Sequence, residues 1–162
     1  MDTNFIKKVK IFSNLSNQEI NYFASKLKIE DYKKGQNIIT ENEISNYLYI
    51  LYHGEVQISK KITLINETQE KNKNFINLKA SDYTFFGEIG LICSQKRTAT
   101  VTAKTDCQLF SISRKNFMQI CDKHPKIGYK VLLEIAKKLA KNLEKTNSDV
   151  LKLTTALIYA LK

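Results

Sequence analysis

The sequence predicts an α+β domain in which helices come first, short antiparallel strands follow, and a long helix closes the chain. Three observations predict it. The N-terminal apolar spacing is helical, the middle is a series of β-branched and aromatic runs cut by turn residues, and the end is a heptad-patterned run of helix formers. With 162 residues, 43% of them apolar and 26% charged, the chain can bury such a core without disulfides or a metal. The reading is one domain, 1–162, with N-terminal helices over 1–28, strands over 29–116 and C-terminal helices over 117–161.

Phe5, Ile6, Val9 and Phe12, then Leu15, Ile20, Phe23, Ala24 and Leu27, suit short amphipathic helices. Ser16 with Glu19 three positions on is a capping-box pattern, so a helix is expected to start at Asn17. Strands are expected at Ile38–Thr40, Tyr47–Tyr52, Val56–Ser59, Ile62–Ile65, Phe75–Leu78, Thr98–Ala103 and Gln108–Ser113. Lys34-Gly35, Glu41-Asn42-Glu43, His53-Gly54 and Asn66 to Asn74 separate them, and polar Glu67 to Asn74 reads as a solvent-exposed hairpin loop. So many short strands mean an antiparallel sandwich, roll or barrel.

After Pro125, Leu132, Ala136, Leu139, Leu143, Thr146, Val150, Leu153, Leu157 and Ala160 alternate by four and three, which is a coiled-coil seam. Leu133, Ile135 and Ala140 lie off the seam and are free to pack on the strands. Asn147-Ser148-Asp149 is a weak helix former and a good N-cap, so the helix is either continuous or broken near Ser148.

Composition narrows function. No apolar run approaches the ~18 residues of a membrane span, and Met1 to Lys10 has no signal-peptide core. A cytoplasmic protein with no membrane association is expected. Cys93, Cys107 and Cys121 lack a C-x-x-C spacing, so three reduced thiols and no metal are expected. Two histidines, no paired carboxylates and no nucleophile beside a base argue against an enzyme. The net charge of +10 invites a nucleic-acid reading, but 24 of the 26 basic residues are Lys, and base-edge readout favours the planar fork of Arg. DNA binding is therefore not expected. Residues 123–162 hold nine Lys against Glu134, Glu144 and Asp149, and a solvated helix face accounts for them better than a phosphate-tracking surface.

The segment that carries chemistry is Phe86-Gly87-Glu88-Ile89-Gly90-Leu91-Ile92-Cys93-Ser94-Gln95-Lys96-Arg97-Thr98-Ala99-Thr100-Val101. It joins two strands through a glycine-containing turn of helix. Gly87 lets backbone approach a ligand, Glu88 can accept hydrogen bonds from hydroxyls, and Arg97 can clamp a phosphate. Thr98 and Ala99 are small, and Thr98 adds a hydroxyl. A sugar phosphate fits this set. The competing reading is an Arg97–Glu88 salt bridge with no ligand.

This segment resembles the phosphate-binding cassette of cyclic-nucleotide-binding domains, as in protein kinase A regulatory subunits and the catabolite-activator family. The pattern is F-G-E, aliphatics, a variable stretch, then R-[ST/A]-A, with Gly and Arg ten apart, as Gly87 and Arg97 are. Leu15-Ser16, Lys34-Gly35, Leu48-Tyr49-Ile50, His53-Gly54-Glu55-Val56, Ala103 to Cys107, Phe117 and Pro125 fall in family order, so roughly residues 11–140 are covered. The resemblance implies an antiparallel β-roll (a double-stranded β-helix or jelly roll) with a short cassette helix, binding cyclic AMP or cyclic GMP without a further cofactor. It implies that Glu88 holds the ribose 2′-hydroxyl and that Arg97 neutralises the cyclic phosphate, helped by the Thr98 hydroxyl and the backbone at Gly87 and Ala99. Phe86 and Ile89 are the remaining cassette positions at the ligand, and Leu91 lines the wall. The long helix closes over the base as a lid, with Asn142 near the base-reading position and Leu139 and Leu143 as apolar cover. Thr98 does not select between the two bases.

Two departures stand out. Ser81 to Thr84 occupy the place of the usual glycine turn before F-G-E, and Glu41-Asn42-Glu43 replaces an E-G-D turn in which Asn can still take a positive φ. A helix-turn-helix of the catabolite-activator kind is not expected after the long helix. A stand-alone sensor is expected, dimerising and signalling through that helix to an unknown effector; the alternative is a ligand-independent, basic nucleic-acid-binding or scaffold protein on the same fold.

Overall fold

The computed structural model describes residues 2–62 and 71–161, with the side chains of 62 and 71–75 left aside. Helix α1 (Thr3–Lys8), a 3-10 turn (Lys10–Phe12) and α2 (Asn17–Ala24) lead in. The capping box forms as expected: the Glu19 N–H donates to Ser16 Oγ at 3.3 Å and the Ser16 N–H to Glu19 Oε2 at 2.7 Å.

Eight strands follow: β1 (Lys28–Tyr32), β2 (Asn37–Ile39), β3 (Tyr47–His53), β4 (Glu55–Ile62), β5 (Lys71–Lys79), β6 (Phe85–Phe86), β7 (Thr100–Ala103) and β8 (Cys107–Ser113). They form two antiparallel sheets, ordered β1-β8-β3-β6 and β2-β7-β4-β5, which make the β-roll. Strand β3 shows why Tyr47–Tyr52 reads as an unbroken apolar run. Leu48 and Ile50 face the helices, while Tyr49 and Leu51 face the roll interior, so both sides are buried. One core therefore lies between the first sheet and the helices, around Phe12, Phe23, Phe110 and Phe117, and a second lies inside the roll.

Two boundaries differ from expectation. Lys71 to Asn74, read as loop, are strand, paired from Lys71 opposite Ile62 to Asn74 opposite Ser59; backbone pairing needs no apolar alternation. Residues 63–65 of the expected Ile62–Ile65 strand and 67–70 of the loop lie outside the described residues. The C-terminal helices begin at Arg114, before 117, because the Ser113 side chain caps α4 (Arg114–Lys123) by accepting the Asn116 N–H.

Helix α5 runs unbroken from Pro125 to Ala160, so Ser148 is helix interior. Its first turns belong to the domain. Ile127, Val131 and Ile135 are core residues. Lys130 Nζ lies 2.7 Å from Glu19 Oε2, and the buried Glu134 carboxylate accepts from Asn14 Nδ2 at 2.9 Å and Lys137 Nζ at 2.7 Å. Of the three off-seam residues, Ile135 packs on the domain but Leu133 and Ala140 remain exposed. The seam splits too. Leu132 and Leu139 pack against the core, whereas Leu143, Val150, Leu153 and Leu157 are exposed. Among the described residues no helix is long and apolar enough to cross a membrane.

Candidate functional site

Strand β6 delivers the chain to Gly87, whose φ of +81° turns it into α3 (Glu88–Ile92). A Cβ at Gly87 would lie 2.8 Å from the Tyr47 carbonyl oxygen, so both its conformation and its surroundings require glycine. One turn on, Gly90 opens a slot. A Cβ there would collide with Arg97 Nη1 and stand 2.6 Å from the Ser45 carbonyl oxygen. Upstream, the 3-10 turn Ala80–Asp82 and a left-handed Tyr83 (φ +48°) do the work of the missing glycine turn, with Asp82 Oδ2 accepting the Lys79 N–H. Asn42 adopts φ +69° in its turn, as its residue type allows.

Arg97 fills the slot left by Gly90 and is 6% exposed. Its Nη1 donates to the Gly87 carbonyl at 3.1 Å, and its Nη2 to Ser45 Oγ at 3.0 Å and the Tyr47 carbonyl at 2.6 Å. Among the described residues its Nε is buried without a partner. Burial lowers its proton affinity, with Tyr49 and Glu88 acting in the opposite direction. No Arg97–Glu88 bridge forms among the described residues. Glu88, itself buried, pairs instead with Lys138 on α5, 3.1 Å from its Oε1. Lys138 Nζ also donates to the Phe85 carbonyl at 2.9 Å and sits 4.0 Å from the centre of the Phe85 ring.

These groups border one cavity of about 290 Å³. Phe86, Gly87, Glu88, Ile89, Arg97, Thr98, Ala99 and Asn142 all line it. Leu91 and Leu139 do not, which corrects the expected wall and cover: Leu91 is fully buried in the helix-side core, and Leu139 packs against that same core. Leu143 is 62% exposed and does not line the cavity. Apolar strand residues, among them Ile39, Ile58 and Val101, form most of the remaining wall, and Thr84, Gln95, Lys96 and Lys138 add polar groups to it. The result is an apolar chamber with a buried cation and a buried carboxylate, the form of a site for a small, mostly apolar ligand bearing an anionic group.

Sequence reasoning missed Lys138 and Gly90. Lys138 had a signal: it lies four residues before Asn142, so a helix that turns Asn142 to the cavity turns Lys138 there as well. Gly90 had one too, since glycine costs a helix up to about 1 kcal/mol relative to Ala and needs a packing reason.

Known proteins share both sequence and fold with this chain. The family model of the cyclic nucleotide-binding domain matches residues 29–124. The mouse potassium/sodium hyperpolarization-activated cyclic nucleotide-gated channel 2 is 32% identical over 120 residues, covering 74% of this chain but 12% of the channel. Among solved structures, the Thermus thermophilus catabolite activator protein superposes with a TM-score of 0.77 at 21% identity, over 90% of this chain and 63% of that one. The regulatory domain of Toxoplasma gondii PKA, solved with cAMP, gives 0.71 at 24% identity, over 86% of this chain and 48% of that one. With the family model spanning more than half its length and the cassette residues gathered on one cavity, the chain belongs to the cyclic nucleotide-binding domain family.

Proposed function

We propose that residues 1–162 act as one cytoplasmic sensor unit that binds cyclic AMP or cyclic GMP in the roll and signals through α5. The observation that carries this is the Arg97 Nε, a buried donor with no partner at the wall of an apolar cavity. A buried donor left unsatisfied costs about 1–3 kcal/mol, and a phosphate oxygen brought against the guanidinium removes that cost. The cAMP in the related PKA domain supports the ligand class.

In this reading Arg97 neutralises the cyclic phosphate, with Thr98 and the backbone at Gly87 and Ala99 beside it. Glu88 accepts the ribose 2′-hydroxyl while Lys138 balances its charge. Phe86 and Ile89 flank the sugar and base, and Asn142 meets the base. Because Lys138 and Asn142 both stand on α5, the helix is the lid, and ligand changes its position only through different affinity for its open and closed placements. The exposed seam from Leu143 onward pairs two chains and passes that change to an effector. The ligand leaves chemically unchanged.

Titration calorimetry with cyclic AMP and cyclic GMP tests the site. Arg97→Ala is expected to lose about 2–4 kcal/mol of affinity, because the phosphate loses a charge-assisted partner. Equal binding by the wild type and Arg97→Ala rejects the site. A thermal melt supplies a second readout, since ligand at a hundred times its dissociation constant adds about 2.7 kcal/mol. No response to either nucleotide, with affinity for nucleic acid that falls steeply with salt, would favour the basic-scaffold alternative.

A further inference from the structure

Among the described residues, the chain's own atoms take three of the five N–H donors of the Arg97 guanidinium. Nη1 gives one, to the Gly87 carbonyl. Nη2 gives both of its own, to the Ser45 hydroxyl at 3.0 Å and the Tyr47 carbonyl at 2.6 Å. The Nε–H and one hydrogen of Nη1 are left over, and these two do not form a fork. A guanidinium grips two oxygens of one phosphate either along the edge shared by Nε and Nη2 or across the end shared by Nη1 and Nη2. Both grips use a hydrogen of Nη2. A two-point clamp therefore requires Nη2 to release one of its partners.

The two partners are not equally held. The Tyr47 carbonyl belongs to β3, where Tyr47 pairs with Ser113 of β8, and it makes the shorter contact. Ser45 lies half-buried in the turn between β2 and β3. That turn is pinned to the same arginine: the Asn42 N–H donates to the Arg97 carbonyl and the Arg97 N–H to the Glu43 carbonyl, both at 2.9 Å. The backbone around Ser45 is thus tied to Arg97, while its hydroxyl turns between staggered positions about a single bond.

We propose that the Ser45 hydroxyl is a built-in competitor for the phosphate: it occupies Nη2, and a cyclic nucleotide displaces it to be clamped at two points. Ser45 acts through Arg97 and is a positioning residue, one that holds affinity below what the open fork would give. The inference rests on the reading of Arg97 as the phosphate site, and goes beyond it in naming the residue that tunes that site.

Titration calorimetry of cyclic AMP and cyclic GMP with the wild type, Ser45→Ala, Ser45→Thr and Arg97→Ala tests it. Ser45→Ala is expected to bind about tenfold tighter than the wild type, because no hydrogen bond to the guanidinium is then given up on binding. Ser45→Thr keeps the hydroxyl and is expected to return to the wild-type affinity. A serine that merely braced Arg97 for the ligand would move binding in the opposite direction. A thermal melt without nucleotide is the folding control, and Ser45→Gly, which removes the same hydroxyl, replaces Ser45→Ala if that control fails. Loss of affinity in Arg97→Ala, with Ser45→Ala equal to or weaker than the wild type, leaves the phosphate site standing and overturns this proposal. Ser45→Thr binding as tightly as Ser45→Ala overturns it as well, because the hydroxyl is then not the cause. A wild type that binds neither nucleotide, or an Arg97→Ala that binds as the wild type does, overturns both readings together.

Discussion

The two halves of α5 are one continuous helix with opposite relations to their surroundings. From Pro125 to about Leu139 the helix is held by core residues, by Lys130 on Glu19, by the buried Glu134 and by Lys138 in the cavity. From Leu143 onward its large apolar side chains stand in water. Heptad spacing runs through both halves, so the pattern alone does not say what a helix packs against. In the first half the same spacing serves the domain, through Leu132 and Leu139, whereas in the second its large apolar residues stay exposed.

The largest expected contrast breaks this comparison most directly. Ile135→Ala should cost about 2–5 kcal/mol in chemical denaturation, because Ile135 is fully buried and its loss leaves a cavity. Leu153→Ala, 71% exposed, should move the domain's own unfolding by no more than about 0.5 kcal/mol at concentrations below assembly. Equal costs at the two positions would mean that the halves are not different. Glu134→Ala should cost about 1–3 kcal/mol, since Asn14 Nδ2 and Lys137 Nζ both lose their acceptor.

A smaller effect is read from pH. Glu19 is held below the ordinary carboxylate range by the Lys130 ammonium first and by the Ser16 backbone N–H next. The unfolded chain therefore takes up this proton first as pH falls. The contribution of Glu19 is full above the ordinary carboxylate range and disappears as pH drops through its folded value. Stability against pH should be flatter in Glu19→Gln than in the wild type over that acid interval. Smallest of all, Thr154→Ala removes only a back-bond to the Val150 carbonyl and should change the domain's unfolding by under about 0.5 kcal/mol.

Local rules were the legible part. Ser16 and Glu19 cap their helix, Asn42 takes its positive φ, and the cassette from Phe86 to Ala99 reaches the cavity apart from its interior residues, because each follows from neighbours within a few positions. Features set by distant partners were not legible. Leu91 sits in the cassette but is drawn inward by the helix-side core, and Leu139 is claimed by the domain before it can cover a ligand. Strand β6 is two residues long and exists through pairing with Tyr49 and Ile50. Lys138 is one of 24 lysines and differs from the rest only in what lies across from it, some fifty residues away in sequence.

The 36 residues of α5 are about 54 Å of stiff rod at 1.5 Å per residue. Lys138 stands against Glu88 roughly a third of the way along it, and Ala160 marks its far end. A swing of about 5° at the Pro125 end shifts Lys138 by little more than 1.5 Å but carries the tip by about 5 Å. Gearing of that ratio makes a sub-hydrogen-bond adjustment beside the carboxylate into a displacement about one helical pitch in size at the far end of the rod.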